Sequence, residues 1–293
     1  MYSIGDPRRI DPWIGVLVAL VGVPLSAGFL FMLAYSTGLV GLLAHGFTLA
    51  AWRRMLTDPH TWVAIGFSFW IGAASLGASL ICAFAVHAVR AARPTAPTVP
   101  SLTPWHLPLA APPLAAALLA LDLFGNTGLV ARIAHALGWL SRPQDFPSPI
   151  YARSGLGIIL TQAALVTPFL VLLFERLARN ERVAELADAA HTLGASGTQV
   201  LLRVRLPVLL HAAMPALSVY FLALSGAFEV PLLVGAQYPP MFSVSIWRSF
   251  ARFDLSTRPV AFALASFYAL LSAALLFALF AARRRRESRE RTA

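Results

Sequence analysis

The sequence predicts an all-α polytopic membrane protein with about six transmembrane helices. Hydrophobic residues make up 58% of the 293 residues and charged residues only 12%, about half the charged fraction of an ordinary soluble domain. The mean hydropathy is +0.71. Most charged residues lie between long apolar runs. A helix needs about 20 apolar residues to cross a hydrocarbon core of about 30 Å, and several runs reach that length.

Six apolar runs are long enough to be transmembrane helices. Few acidic, basic or histidine side chains lie within them: His87 in the second, His106 and Asp122 in the third, and His211 and Glu229 in the fifth. Arg153 and Glu175 bound the fourth run. Prolines inside the runs are compatible with this interpretation, because neighbouring helices in a membrane protein can satisfy the carbonyls that a proline frees. The runs are residues 13–35, 62–89, 102–124, 154–174, 208–235 and 259–282.

The arginines predict the orientation of the chain. All 23 basic residues are arginines, and with 13 acids they give a net charge of +10. If residues 1–12 and the basic tail 283–293 are cytoplasmic, 15 arginines lie inside and eight outside, as the positive-inside rule requires. We therefore expect both termini of the transmembrane region 13–282 in the cytoplasm. The arginines form no stripe with surface aromatics, so the charge does not indicate nucleic-acid binding.

The residue types argue against several kinds of chemistry. The only cysteine, Cys82, cannot form a disulfide or a cysteine metal cluster within one chain. The histidines are too scattered in the sequence for a zinc site. The chain contains no lysine, so it cannot carry the phosphate-binding loop of a P-loop ATPase. We expect no metal, no cofactor and no catalysed reaction, and any use of ATP requires another chain.

The segment between the fourth and fifth runs, residues 180–207, has the pattern of two short helices joined by a glycine turn. Asn180 is a candidate N-cap of the first helix, and Gly194 can end it in a left-handed conformation. Ser196 or Thr198 can cap the second helix, and Pro207 then begins the fifth transmembrane helix. Five residues recur at helical spacing and give the first helix an apolar stripe: Val183, Leu186, Ala187, Ala190 and Leu193.

Seven residues of this segment carry a family resemblance. They resemble the EAA loop, E-A-A-x3-G-x9-I-x-L-P, of permeases in binding-protein-dependent ABC importers. Asp188 replaces the usual glutamate and Val204 the usual isoleucine, and both changes keep the character of the side chain. The matching residues are Asp188, Ala189, Ala190, Gly194, Val204, Leu206 and Pro207.

The resemblance implies the type I ABC importer permease fold in a bacterial inner membrane. It also implies that the loop forms coupling helices that dock into a cleft on an ATPase. The implied partners are two ABC ATPase subunits, a second permease that is homologous or identical, an external substrate-binding protein and membrane lipid. Residues 226–235, GAFEVPLLVG, resemble the fifth helix of the polyamine, iron and sulfate importer group.

Two carboxylates lie within the predicted spans. Glu229 at membrane depth either lines a translocation pathway or accepts a structural hydrogen bond, because a buried carboxylate needs water or a partner. Asp122 lies closer to an interface, and its side chain can reach water. Alternative functions stay open: an ion-gradient-driven secondary transporter, or a membrane enzyme with a convergent polar cluster. Residues 180–207 could also be a simple amphipathic connector.

Overall fold

The computed structural model describes residues 12–41, 46–91 and 103–292. Across these residues all regular structure is helical and no β-strand occurs. The all-α prediction is therefore confirmed. The N-terminal segment predicted to be cytoplasmic lies almost wholly outside the described residues.

The described helices are numbered in chain order. The two longest, α3 and α13, each exceed the length needed to cross a bilayer. Short 3₁₀ turns lie at Leu107–Ala110, Pro143–Asp145 and Leu255–Thr257, and a π-helical segment at Leu201–Arg205. The helices are α1 (Pro12–Ser36), α2 (Ala50–Thr57), α3 (Pro59–Ala91), α4 (Thr103–His106), α5 (Pro113–Phe124), α6 (Leu129–Ala136), α7 (Leu156–Asn180), α8 (Val183–Thr192), α9 (Gly197–Val200), α10 (Leu206–Ser225), α11 (Glu229–Val234), α12 (Phe242–Ala251) and α13 (Arg258–Thr292).

Six helical segments of the described chain are long and apolar enough to cross a membrane, so the predicted number is confirmed. The fourth, α7, contains Pro168 without interruption. The fifth runs through the π-helical segment and contains Pro215. The six segments are Gly15–Ser36, Pro59–Ala91, Pro113–Ala136, Leu156–Asn180, Gly197–Val234 and Leu255–Ala281.

The third span lies further along the chain than the apolar run 102–124 predicts. A 3₁₀ turn occupies Leu107–Ala110, and α5 begins only at Pro113, where the missing N–H is harmless in the first helical turn. The apolar segment then continues through a short turn, in which the Gly128 N–H donates to the Gly125 carbonyl at 2.8 Å, into α6. Closely spaced prolines thus moved the start of the span by about three helical turns.

The chain divides into two compact units. One combines the described residues up to Thr61 with Ile246–Ala274. Aromatic rings pack inside it: Phe262 lies 4.3 Å from Tyr35 and 4.9 Å from Phe250 between ring centroids. The T-shaped contact with Phe250 is a geometry that the ring quadrupoles favour.

The other unit combines the described residues of Trp62–Ser245 with those from Leu275 onward, and it contains two apolar clusters. The first cluster joins α3, α7 and α10 around Phe174, Leu170 and Leu209, all fully buried, and it includes Val183 from α8. Small residues allow the helices to approach closely here, as in many membrane proteins. A Cβ at Gly72 of α3 would overlap the Ser225 Oγ of α10.

The second cluster joins α3, α5, α7 and α11. Its buried residues include Ile71, Ala117, Ile158 and Val234. This packing holds the short helix α11 against α5 and α7. The position of Glu229, the first residue of α11, is thus determined by a buried apolar contact.

Candidate functional site

The segment with the EAA-like pattern folds as two helices joined by a tight turn, as predicted. Gly194 has φ +85°, a left-handed conformation that glycine adopts without a Cβ penalty. Its N–H donates to the His191 carbonyl at 2.9 Å, and the Ala195 N–H donates to the Ala190 carbonyl at 3.0 Å. These bonds satisfy carbonyls at the end of α8 and reverse the chain.

The first helix of the segment begins later than predicted. Asn180 is the last residue of α7 and does not cap α8. The chain turns at Glu181 and Arg182, and Arg182 has φ +50°. An exposed ion pair joins Arg182 Nη1 to Glu185 Oε2 at 3.8 Å, a geometry that contributes little to stability.

The second helix begins at a capping box, and its N-cap, Ser196, is one of the two residues predicted for that position. The Gln199 N–H donates to the Ser196 Oγ at 3.4 Å, and the Ser196 N–H donates to the Gln199 Oε1 at 2.9 Å. Each side chain thus satisfies a backbone N–H at the helix start. Ser196 is the cap, and Thr198 lies inside the helix.

The sequence predicted that Pro207 begins the fifth transmembrane helix. In the structure the fifth span begins before Pro207. Helix α9 passes through the π-helical segment Leu201–Arg205 directly into α10, where Pro207 occupies the first turn. A proline inside an α-helix clashes with the carbonyl four residues earlier and removes a hydrogen bond. The wider π turn accommodates both effects. The second half of the segment is therefore continuous with the fifth span.

The apolar stripe of α8 divides between a buried and an exposed part. Val183 is 1% exposed and Ala187 0% exposed, and Val183 belongs to the cluster around Phe174. Leu193 is 88% exposed and Leu186 is 45% exposed. Since residues three or four apart share a helix face, the second pair forms an apolar flank beside the buried line. The predicted apolar stripe is therefore only partly buried within this chain.

The structure places the seven motif residues on both sides of the turn. Asp188, Ala189, Gly194 and Pro207 are exposed, whereas the other three are partly buried. Helix α8 packs against the π-helical segment that contains Val204. The partly buried residues are Ala190, Val204 and Leu206. We call the exposed surface formed by Leu186, Ala189, Leu193 and Gly194 the α8 surface.

Glu229 lies just after a break in the fifth span. The sequence predicted one helix over 208–235, but α10 ends at Ser225 and α11 begins at Glu229. Backbone groups freed by the break are bonded within the protein: the Ser243 Oγ donates to the Ala227 carbonyl at 2.6 Å, and the Gln162 Nε2 donates to the Leu224 carbonyl at 3.4 Å. Non-helical backbone at membrane depth requires such partners.

The Glu229 side chain is exposed on the isolated chain, while the following residues Val230 and Pro231 are buried. The carboxylate therefore projects from a short helix whose other face is fixed by packing. Among the described residues its side chain has no hydrogen bond or ion pair, so no donor is observed for the interpretation of Glu229 as a structural hydrogen-bond acceptor. Asp122 is also exposed, at the last turn of α5.

The sequence did not predict a partly buried ionic cluster. At the ends of α3 and α7, the Arg90 Nε donates to the Glu175 Oε1 at 3.0 Å, and the His87 Nδ1 lies 3.6 Å from the same oxygen. Glu175 is 85 or more positions from both His87 and Arg90 in sequence, so no local spacing reveals the cluster. An arginine, a histidine and a glutamate at the same ends of two predicted spans were the available signal.

Comparisons with known proteins bear on the fold. No protein-family model matches the sequence, and no curated protein matches it. One similar solved structure is a bacterial ABC transporter involved in the import of the acidic polysaccharide alginate, with 16% identity, a TM-score of 0.65 and coverage of 94% of this chain and 93% of that chain. Another is the bacterial alginate ABC transporter in complex with alginate pentasaccharide-bound periplasmic protein, with 16% identity, a TM-score of 0.62 and coverage of 93% and 94%.

These similarities cover nearly the whole chain. The protein shares the all-α fold of these ABC transporter structures, with six helical segments long and apolar enough to span a membrane among the described residues, as the resemblance of residues 180–207 implied. At 16% identity the comparison establishes the fold and not the substrate.

Proposed function

We propose that the protein is the permease subunit of a bacterial ATP-driven ABC importer, which forms the substrate pathway and couples to a separate ATPase. The observation that carries this proposal is the position of the EAA-like residues. They fall on an exposed helical hairpin whose base is packed into the core of the spans. A simple connector would not need a buried base or an exposed apolar flank on the same helix.

The α8 surface is the proposed docking site for the ATPase. Leu193 and Leu186 supply apolar contacts, and Gly194 allows a close approach of the partner. Movement of a docked ATPase would be transmitted through Val183 to Phe174 and Leu209, because these residues share one packed cluster. The chain itself catalyses no reaction, and a partner chain hydrolyses ATP.

The complete transporter would contain two ABC ATPase subunits, a second homologous or identical permease and an external substrate-binding protein. A periplasmic protein is bound in one of the similar solved structures, which supports the last of these partners. Substrate selection would rest largely on the binding protein. The resemblance of residues 226–235 suggests the polyamine, iron and sulfate importer group as a hypothesis for the substrate class. Identification of the ligand that co-purifies with the binding protein would test it.

Co-purification tests the proposed function directly. We expect the tagged chain, extracted from its native membrane in mild detergent, to recover an ATP-hydrolysing subunit. Proteoliposomes that contain the recovered complex should accumulate substrate when ATP is supplied on the ATPase side. Accumulation that needs no ATP and disappears with an ionophore would contradict the proposal and favour the ion-gradient-driven secondary transporter.

The proposed topology places both termini in the cytoplasm of a bacterial cell. Six spans bring the chain back to the starting side, and the arginine distribution selects the cytoplasm. We expect a reporter that is active only in the cytoplasm to be active when fused after residue 293. A reporter fused in the loop at Pro143–Asp145 should be inactive. The reverse pattern would overturn the topology.

A further inference from the structure

A charged cavity of about 440 Å³ lies where the ends of α3 and α7 meet the base of the α8–α9 segment. It is open on one side and lined by both cationic and anionic side chains. The four arginines that line it are Arg90, Arg179, Arg182 and Arg205. The proposed coupling mechanism does not use them.

The two glutamates of the cavity already have cationic neighbours. Glu175 Oε1 lies 3.0 Å from Arg90 Nε, and Glu185 Oε2 lies 3.8 Å from Arg182 Nη1. Among the described residues, no ion pair or hydrogen bond involves the side chain of Arg179 or that of Arg205. The cavity is thus lined by four guanidinium groups and two carboxylates, a surplus of two positive charges.

His87 provides a second, independent observation. Its side chain is only 6% exposed, yet neither ring nitrogen has a hydrogen-bond partner among the described residues. The 3.6 Å separation from Glu175 Oε1 is too long for a good hydrogen bond. A buried polar group without a partner is costly, and His87 lines the cavity. A ligand with acceptor oxygens would satisfy it.

We propose that this cavity binds a phosphate group, either free phosphate or the phosphodiester of an anionic lipid headgroup. Guanidinium groups bind phosphate through paired, charge-assisted hydrogen bonds, and the surplus arginines provide them. Basic pockets between the ends of transmembrane helices are typical sites for anionic headgroups. Assignment to the cytoplasmic leaflet rests on the proposed topology, whereas the binding itself does not.

A bound phosphate would also link the two ends of the α8–α9 segment. Arg182 occupies the left-handed turn before α8, and Arg205 ends the π-helical segment after α9. Both line the cavity together with Arg179 at the end of α7. The ligand would therefore stiffen the base of the segment relative to the spans, where the proposed coupling movement passes.

The test compares two double variants of the purified full chain. Arg179→Gln with Arg205→Gln removes the surplus charges from the cavity. Arg176→Gln with Arg203→Gln removes the same number of charges from the same two helical segments, at exposed residues that do not line the cavity. The lipid-depleted chain is titrated with inorganic phosphate while its melting temperature is measured. Nanodiscs of phosphatidylcholine, with or without phosphatidylglycerol, serve for counting retained lipids by native mass spectrometry.

We expect the wild type and the exposed double variant to bind at least one probe, and the cavity double variant to bind it on the order of tenfold more weakly. Retention of phosphatidylglycerol without a phosphate response assigns the site to lipid, and a response to both probes assigns it to phosphate in general. If the cavity double variant does not purify, the single variants Arg179→Gln and Arg205→Gln replace it.

Equal binding by all three proteins, or no binding of either probe, would overturn the proposal. Unchanged probe binding together with lost ATPase recovery by the cavity double variant would also overturn it, because the arginines would then bind the ATPase. Uptake is not measured in this test. Its failure is therefore distinct from failure of the proposed import function.

Discussion

Gly194→Asp should abolish ATP-dependent uptake while leaving the chain folded in the membrane. No heavy atom lies within 4 Å of the position of an added Cβ, so the folded chain has room for the side chain. The left-handed φ of +85° adds a strain of about 1 kcal/mol. The main effect is on docking, because an acidic side chain would project from the α8 surface toward the ATPase.

Two measurements separate docking from folding in this variant. Recovery of the ATPase by the tagged chain should fall to background, whereas the melting temperature in detergent should change little. Gly197→Asp is the matched control: Gly197 is also exposed and has free space around it, but its backbone does not require a glycine. An acid in the first turn of α9 is favourable for the helix dipole. Normal uptake by Gly194→Asp would mean that the segment is only a connector.

Glu229→Gln should lower uptake about tenfold or more at equal expression. The substitution keeps the size and hydrogen-bonding capacity of the side chain but removes its charge. A hydrogen bond to a charged group contributes about 1.5–3 kcal/mol, and each 1.4 kcal/mol is a factor of ten in a rate or binding constant. The effect requires that the carboxylate faces a translocation pathway, which we propose from its exposure beside the break in the fifth span.

Asp122→Asn is the matched control for Glu229→Gln. It removes a carboxylate from another span, near the end where water is accessible, and should leave uptake close to wild type. Recovery of the ATPase should be normal for both variants, since neither residue lies in residues 180–207. Wild-type uptake by Glu229→Gln would show that transport does not need the charge. Equal losses in both variants would indicate a general effect of membrane carboxylates and not a pathway.

Local sequence signals predicted the parts of the α8–α9 segment that depend on local chemistry. Gly194 occupies the left-handed turn because a residue without a Cβ is favoured there. Ser196 caps the second helix because its hydroxyl and the Gln199 amide are three residues apart. The start of α8 was missed because the turn at Arg182 is made by a residue without a turn signature.

Prolines gave weaker signals, since their effect depends on the surrounding helix. Pro168 and Pro215 lie inside continuous helices, and Pro207 is accommodated by a π-helical segment. By contrast, the third span begins at Pro113, later than its apolar run. The same residue type thus ends, begins or continues a helix according to whether neighbouring groups can satisfy the freed carbonyls.

The all-α class, the number of spans and the glycine turn could all be predicted without a structure. Each follows from apolar run length or from backbone chemistry, which are properties of neighbouring residues. Three features became visible only in the folded chain: the buried face of α8, the break in the fifth span, and the meeting of His87, Arg90 and Glu175. These features depend on contacts between helices far apart in the chain, and the apolar pattern of a membrane helix does not distinguish a side that faces protein from one that faces lipid.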